Sequence, residues 1–265
     1  MESKPSIEQL GRDLLNLSAP RIAFSIALPF ALSIGYFVNA SEFSILAAIP
    51  FLVALDFFTY GSVSHDLVHR NYRLPKRLNH ALLSLIELLC LRSGHAYLKA
   101  HIHHHKRFPK DDDIEGHAAK LGLVRALLHG ILFQHRIFWW ALTVNSKHRR
   151  WILLEGFVLY SLFAAAIALF PTYPIFSAYA AIIHIGGWII PFMTSYIPHD
   201  AQGETELTQT RLFRGKALSF LALDHLYHLE HHMYPNVPHQ NWPKLAKRLD
   251  SYFQERDIRP KKLLF

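Results

Sequence analysis

Cysteine is almost absent from this chain: Cys90 is the only one among 265 residues. A single thiol cannot form a disulfide within the chain, a CxxC redox site or a cysteine-ligated iron–sulfur cluster. Any electrons that the protein uses are therefore expected to come from another protein. The sequence also lacks the HExxH motif of zinc peptidases and the paired Glu and Glu-x-x-His motifs of soluble di-iron bundles. Those two classes of metal site are excluded.

Lysine and arginine are missing from two short connectors, residues 39–42 and 171–174, although the chain has 28 of them. Each connector joins two apolar runs that are long enough, or nearly so, to cross a bilayer. The predicted spans are residues 22–38, 43–60, 152–170 and 175–197. Because basic residues near the ends of spans stay in the cytoplasm, both connectors are predicted to face outward. Both termini and the parts 65–150 and 198–265 are then cytoplasmic.

The composition agrees with a membrane protein, since 51% of the residues are hydrophobic and 13% are aromatic. A secretory signal is not evident, because the first twenty residues are mostly polar and no small-residue cleavage site follows them. The net charge of +8 is interpreted as topology and attraction to anionic headgroups, not as nucleic-acid binding. The predicted fold is all-α and integral to the membrane: one domain over residues 1–265, with two transmembrane hairpins and a cytoplasmic helical cap.

Two further apolar stretches, residues 78–98 and 121–144, are interrupted by charged side chains and histidines. This pattern favours helices that lie at the membrane surface or pack on the site over helices that span the bilayer.

Histidine is abundant, with 19 residues, and most of them fall into short helical spacings. Side chains at i, i+3 and i+4 share one face of an α-helix. Three such faces are predicted: His65/His69, then His101/His104/His105, then His228/His231/His232. Eight imidazoles exceed the four ligands of a structural zinc, so two metal ions are the simplest interpretation. Imidazole suits Zn, Cu, Fe or Ni, and the ligand type leaves the metal open.

These motifs, read as HDxxH, HxxHH and HxxHH, resemble the three histidine boxes of the membrane fatty acid desaturase superfamily, in the same order relative to the spans. The resemblance covers roughly residues 43–249. The run from Tyr196 to His199 and the stretch from Tyr227 to Pro235 are similar to the carotenoid ring hydroxylases and ketolases of that superfamily.

The resemblance implies a non-heme di-iron enzyme that uses O2 and two electrons to oxidise an unactivated C–H bond of a long lipid. A carotenoid ring is favoured as the substrate, with hydroxylation or ketone formation as the reaction. The electron donor implied is a separate ferredoxin or cytochrome. The implied metal ligands are His65, His69, His101, His104, His105, His199, His228, His231 and His232.

Two alternatives stay open. Acyl-lipid desaturases also carry the HDxxH box, so a fatty acyl chain is the rival substrate. A membrane metal carrier is the rival of another class, although a carrier should place ionisable ligands along the spans, and here only Asp56 and His184 lie there.

Several other polar residues are candidates for supporting roles. Carboxylates beside the ligands are expected either to orient imidazole N–H groups or to be solvated; they are Asp66, Asp200 and Glu230. Residues 111–113, three aspartates, are a solvated turn, an anchor for the second box or a contact for a basic surface of the electron donor. His103 and His225 are interpreted as supporting or structural, His184 as a hydrogen-bonding residue between helices, and Asp56 as either a packing residue or a group near the substrate.

Overall fold

The structure is a computed structural model that describes residues 4–144, 147–215 and 225–262. It is almost entirely helical, as predicted. The α-helices are α1 (Ile7–Leu10), α2 (Ala19–Glu42), α3 (Ile45–Phe58), α4 (Ser64–His69), α5 (Lys76–Leu89), α6 (Gly94–Arg107), α7 (Leu123–His129), α8 (Phe133–Thr143), α9 (Arg149–Leu169), α10 (Pro174–Gly186), α11 (His228–Met233) and α12 (Trp242–Glu255). The strands of the described residues, β1 (Phe213–Arg214) and β2 (Lys261–Lys262), pair in parallel.

Four helical segments are long and apolar enough to cross a membrane: Arg12–Glu42, Ile45–His69, Arg149–Leu169 and Pro174–Tyr196. They confirm the four predicted spans. The first two are longer than residues 22–38 and 43–60. The second is longer because α3 continues through a π-helix, Thr59–Val63, directly into α4. The helix that crosses the membrane therefore also carries the first histidine box.

The spans pack on one another through a buried apolar cluster that includes Tyr36, Leu52, Leu55 and Ile183. Its polar atoms are satisfied locally: the Tyr36 hydroxyl donates to the carbonyl of Ile175 at 2.7 Å. The outer faces of the spans remain apolar, and Phe157 is 73% exposed. An exposed apolar face of this kind is what a lipid-facing helix requires.

The stretch predicted as residues 78–98 forms two helices, α5 and α6, which meet at an angle of 105°. The break follows Cys90, where Leu91 adopts a left-handed φ of 50° and the Ser93 hydroxyl accepts from the N–H of Ala96 to cap α6. Taken together the pair is apolar enough to enter a membrane as one broken segment. Residues 121–144 form α7 and α8, which are not among the four spans.

The C-terminal helices form a second apolar cluster with the N-terminal segment, built on Leu10, Leu14, Leu229, Trp242 and Leu249. The Trp242 indole is buried and donates to the carbonyl of Val237 at 2.9 Å. This packing holds α11, with the third histidine box, against α12 and the N-terminal segment.

Candidate metal centre

The first box lies where the second span ends. The π-helix at Thr59–Val63 precedes it, and such a bulge widens a helix by one residue and frequently occurs at functional sites. His65 and His69 then follow at i and i+4 on α4, so both rings point to the same side of the helix. Trp242 packs against His65 with ring centroids 5.3 Å apart, which limits the orientations open to that ring.

The second and third boxes each lie on a short helix, α6 and α11, that faces the first box. Their histidines do not all point at one centre, because i+3 and i+4 positions diverge around the helix axis. The structure separates the nine predicted ligands into two groups whose ligand atoms lie within 4.8 Å of one another: His65, His69, His101, His105 and His231; and His104, His199, His228 and His232.

The group of five, here called cluster one, takes residues from all three boxes. Its Nε2 atoms are close together: those of His65 and His231 are 3.0 Å apart, and those of His231 and His105 are 2.8 Å apart. The Nε2 atoms of His101 and His69 are likewise 3.0 Å apart. Five imidazoles thus surround one small volume.

The group of four, here called cluster two, depends on His199, which stands outside the boxes. The Nε2 atom of His199 lies 3.0 Å from that of His104, 3.2 Å from that of His232 and 3.3 Å from that of His228. His199 follows the fourth span, and its side chain is fully buried. The structure therefore brings the second hairpin of the membrane domain to the same centre as the boxes.

Buried acceptors determine which nitrogen of three imidazoles carries the proton. His104 Nδ1 lies 2.7 Å from an Asp113 carboxylate oxygen, and His101 Nδ1 lies 3.1 Å from both oxygens of Glu115. His199 Nδ1 lies 3.1 Å from the carbonyl oxygen of Ser195, which can only accept. With Nδ1 donating in each case, Nε2 carries a lone pair.

These tautomers direct lone pairs at one another. While His104 is neutral, its Nε2 atom and that of His199 are both acceptors, so their approach to 3.0 Å is unfavourable unless a cation lies between them. A carboxylate or carbonyl behind each imidazole is also the usual arrangement around a protein-bound metal. The residues present therefore fit a pair of metal ions ligated through imidazole Nε2.

Burial keeps most of these imidazoles neutral, as a metal requires. It lowers the pKa of His105, His199, His228, His231 and His232 well below the ordinary value, and neighbouring imidazoles lower it further. His104 differs: burial opposes its charge, but the Asp113 carboxylate outweighs burial and raises its pKa.

The supporting carboxylates differ from those that adjacency in sequence suggested. Asp66 is buried beside a ligand, but it accepts from His239 Nδ1 at 2.7 Å and from Asn71 at 2.9 Å. Glu230 is buried too and pairs with Arg214 at 2.6 Å. Neither is solvated and neither orients one of the nine ligands in these contacts. Adjacent residues on a helix point to different sides, which explains the difference.

Asp200 and the three aspartates at residues 111–113 differ from one another in what they contact. Asp200 caps a turn by accepting from the N–H of Gln202 at 3.1 Å. Asp111 and Asp112 form exposed pairs with Lys120 and Arg107, whereas Asp113 is the anchor of His104. Glu115, the partner of His101, was not among the residues predicted from the sequence. The sequence feature that could have indicated it is its position two residues after Asp113.

The remaining candidates lie outside the two clusters. His103 faces the Trp140 ring, with centroids 5.0 Å apart, and His184 lies beside His135 at 5.2 Å. The imidazole of His225 packs on Gly61, where an added Cβ would lie 1.3 Å from its ring carbon. Asp56 pairs with Arg92 at 3.2 Å, while its second oxygen has no hydrogen-bond partner.

An apolar cavity of about 250 Å³ lies between the second and fourth spans. Its lining includes the exposed side chains of Val53, Ile185 and Ile189, which face outward at the level of the spans. Its inner end is shared with a narrow gap that reaches His65, His101, His104 and His228. The residues common to the cavity and the gap are Tyr60, Gly61, Thr194 and His225. The same four residues therefore line the apolar cavity and the gap that reaches both clusters.

Comparison with known protein families matches residues 43–261 to fatty acid desaturases. The chain belongs to the fatty acid desaturase family. The match includes the three boxes, His199 and three of the four spans, and it supports a membrane oxidoreductase of the desaturase and oxygenase type. The comparison with curated proteins found no match.

Asp113 and Asp112 offer a matched pair for testing the anchor. Asp113→Asn is expected to lower the affinity of cluster two for metal by about 10–100-fold, because the charge behind His104 is lost. Metal content measured against a competing chelator checks this value. Asp112→Asn changes an exposed carboxylate of the same turn and should leave the affinity as it is. Equal losses in the two variants would show that Asp113 acts only through the turn.

Proposed function

We propose that this desaturase-family protein is an O2-dependent di-iron oxidoreductase that oxidises a C–H bond of a long membrane lipid, with a carotenoid ring as the favoured substrate. The observation that carries the proposal is the arrangement of nine imidazoles in two clusters at the inner end of an apolar cavity. When bound, two irons would use O2 and two electrons to take hydrogen from the substrate. The protein supplies ligands, orientation and an apolar entry.

The nine histidines would hold the irons, and the residues that contact these histidines would fix the orientation of the rings. Asp113, Glu115 and the Ser195 carbonyl keep Nε2 of three ligands unprotonated. Trp242 packs on His231, with ring centroids 5.0 Å apart, as well as on His65. A ligand shell fixed before the metal arrives loses little conformational freedom on binding.

The cavity favours a substrate that enters by one end. A volume of about 250 Å³ is below the usual range for a whole drug-sized ligand, so most of a long lipid would stay in the bilayer. A rigid polyene can present its terminal ring in this way without bending. The sequence similarity around His199 and the third box to carotenoid ring hydroxylases and ketolases supports the same substrate class.

An acyl-lipid desaturase is the second candidate, favoured by the family match itself. Desaturation and hydroxylation share the first hydrogen abstraction, so the same ligand set serves both. An acyl chain would have to place an internal carbon at the inner end of the cavity. The metal carrier has less support, because Asp56 within the second span already pairs with Arg92.

Product analysis separates the two candidates. The chain is expressed with a ferredoxin-type donor in a host that makes β-carotene, and both pigments and fatty acid methyl esters are analysed from one culture. The expected result is new carotenoids with a hydroxyl or keto group on the ring and unchanged fatty acids. The His231→Ala variant is the inactive control. New acyl double bonds with unchanged carotene would replace the carotenoid proposal with the desaturase.

We propose that the electron donor, a ferredoxin or a cytochrome, binds at a basic cavity beside α6. This cavity has a volume of about 750 Å³. Its lining includes His103, which is next in sequence to the proposed ligand His104. An acidic protein surface is complementary to such a site. Its basic lining residues are Arg70, Lys76, Lys99, Lys106 and Lys147.

We also propose that this side of the protein is cytoplasmic. In a Cys90→Ser background, a membrane-impermeant thiol reagent added to intact cells should modify a cysteine placed at Ser41 or Thr172, in the two connectors. It should spare one placed at Lys110 or Lys261. Labelling of position 110 from outside would contradict the two-hairpin topology and would put the basic cavity on the wrong side for a cytoplasmic donor.

A further inference from the structure

A third group of histidines lies apart from the nine. His80 on α5, His95 on α6 and His148 just before α9 place one ring nitrogen each within 4.8 Å of one another. His80 Nδ1 and His95 Nε2 are 2.9 Å apart, and the His148 ring lies 5.1 Å from each of the other two. Neither cluster one nor cluster two includes any of these residues.

The arrangement around His95 is that of an oriented ligand. Glu155, buried on α9, lies 2.7 Å from His95 Nδ1 and accepts from the His95 backbone N–H at 3.0 Å and the Ser93 hydroxyl at 2.6 Å. A carboxylate that accepts this many donors is ionised, so His95 Nδ1 donates and Nε2 is the ring nitrogen that faces His80. The Trp151 ring stacks on His95 at 4.9 Å, which fixes the plane of the imidazole.

The other two imidazoles complete a set of three donors. Burial, together with the neighbouring His95 and His80 rings and Lys147, lowers the pKa of His148 to about 4, which disfavours its charged form. His80 and His148 also line the basic cavity described above. A metal among the three rings would therefore have an open side toward this cavity.

We propose that His80, His95 and His148 form a third metal site, with Glu155 as the positioning carboxylate and zinc as the metal. Three imidazoles with a further open position are a recurrent zinc ligand set, and a carboxylate that holds a histidine ligand in place is usual around protein-bound metals. The open position faces the basic cavity and suits an anionic or water ligand. The site is independent of the di-iron proposal, since it shares no ligand with the two clusters.

The rival interpretation is a plain hydrogen-bonded chain from Glu155 through His95 to His80, with no metal. Elemental analysis separates the two. The whole chain, purified in detergent and dialysed against buffered zinc, should hold one more tightly bound metal ion than His148→Ala. The matched control is His135→Ala, which replaces a half-buried histidine that hydrogen-bonds Tyr160. Equal metal content in the wild type and His148→Ala would overturn the proposal.

A measurement on the unaltered protein guards against a variant that fails to fold. Anomalous scattering at the zinc edge should show a peak between the three imidazoles after exposure to zinc, and its absence at saturating zinc would overturn the proposal. Glu155→Gln tests the positioning role: zinc affinity at this site should fall by about 10–100-fold, while the occupancy of the other two clusters stays the same. An unchanged affinity would show that Glu155 does not position His95.

Discussion

His231→Ala and His104→Ala are each expected to abolish the proposed lipid oxidation. His231 is the residue through which the third box reaches cluster one, and its Nε2 lies 3.0 Å from that of His65 and 2.8 Å from that of His105. His104 has the corresponding position in cluster two. A change to a residue that only orients a ligand lowers metal affinity by about 10–100-fold. Removal of the ligand itself is expected to lower the affinity more. Iron content should fall from two per chain to one or fewer.

The measurement is iron per chain together with product formation in the same preparation. His135→Ala is again the control, because this histidine lies outside both metal clusters and should keep both iron and activity. If His135→Ala loses as much iron as the two ligand variants, the loss reflects general damage and not ligation. Full activity in His104→Ala with a single iron would show that cluster two is not needed for the reaction.

Arg92→Met is expected to cause the largest loss of stability. The Arg92 side chain is buried between two acidic side chains: its Nε donates to Glu87 at 2.8 Å, and its Nη1 donates to Asp56 at 3.2 Å. A third donor bond reaches the Thr59 hydroxyl at 2.7 Å. Methionine keeps much of the volume but leaves two buried carboxylates without their cation. Breaking one buried pair in this way costs about 3–5 kcal/mol.

Thermal unfolding in detergent, followed by size-exclusion chromatography, measures this effect. Arg12→Met is the matched control, because the Arg12 side chain is 77% exposed and its partner Glu8 is 61% exposed. An exposed pair of this kind contributes little to stability because solvent screens it, so the control should unfold at nearly the wild-type temperature. Similar melting temperatures for the two variants would show that protonation or water stabilises the two buried carboxylates once Arg92 is replaced.

The structure also connects this ion pair to the proposed route for substrate. Asp56 and Thr59 lie on the second span, and Arg92 lies at the bend between α5 and α6. The pair therefore ties the span that carries the first box to the helix that carries the second. Asp56 is also among the residues that line the apolar cavity. Its ion pair with Arg92 agrees with the packing interpretation of Asp56, and a role near the substrate stays a prediction.

The carboxylates around the ligands show where sequence analysis stops. Adjacency to a ligand pointed to Asp66, Asp200 and Glu230, yet none of their contacts reaches one of the nine histidines. The residues that do so are Asp113 and Glu115, which follow α6 in a turn. Whether a turn folds back onto its own helix depends on contacts with distant segments, and the residue types in the turn do not specify those contacts.

The spans and the boxes were determined by the sequence alone. Apolar run length and the i, i+3, i+4 spacing are local properties: a bilayer requires about 17–25 apolar residues for a span, and a helix turns by the same angle in any fold. Periodicity within one helix therefore predicted which histidines share a face. Apolar run length predicted the four spans, and the structure extends the second of them to His69, so that it includes the first box.

Only the tertiary structure decided how the nine histidines divide into five and four. The second and third boxes each contribute to both clusters, so the division depends on how α6 and α11 cross and not on spacing within either helix. The group of His80, His95 and His148 was decided in the same way, because its members come from separate segments that share no repeat. Contacts between distant segments depend on how whole helices pack and cross, and the residues of any single segment do not specify that packing.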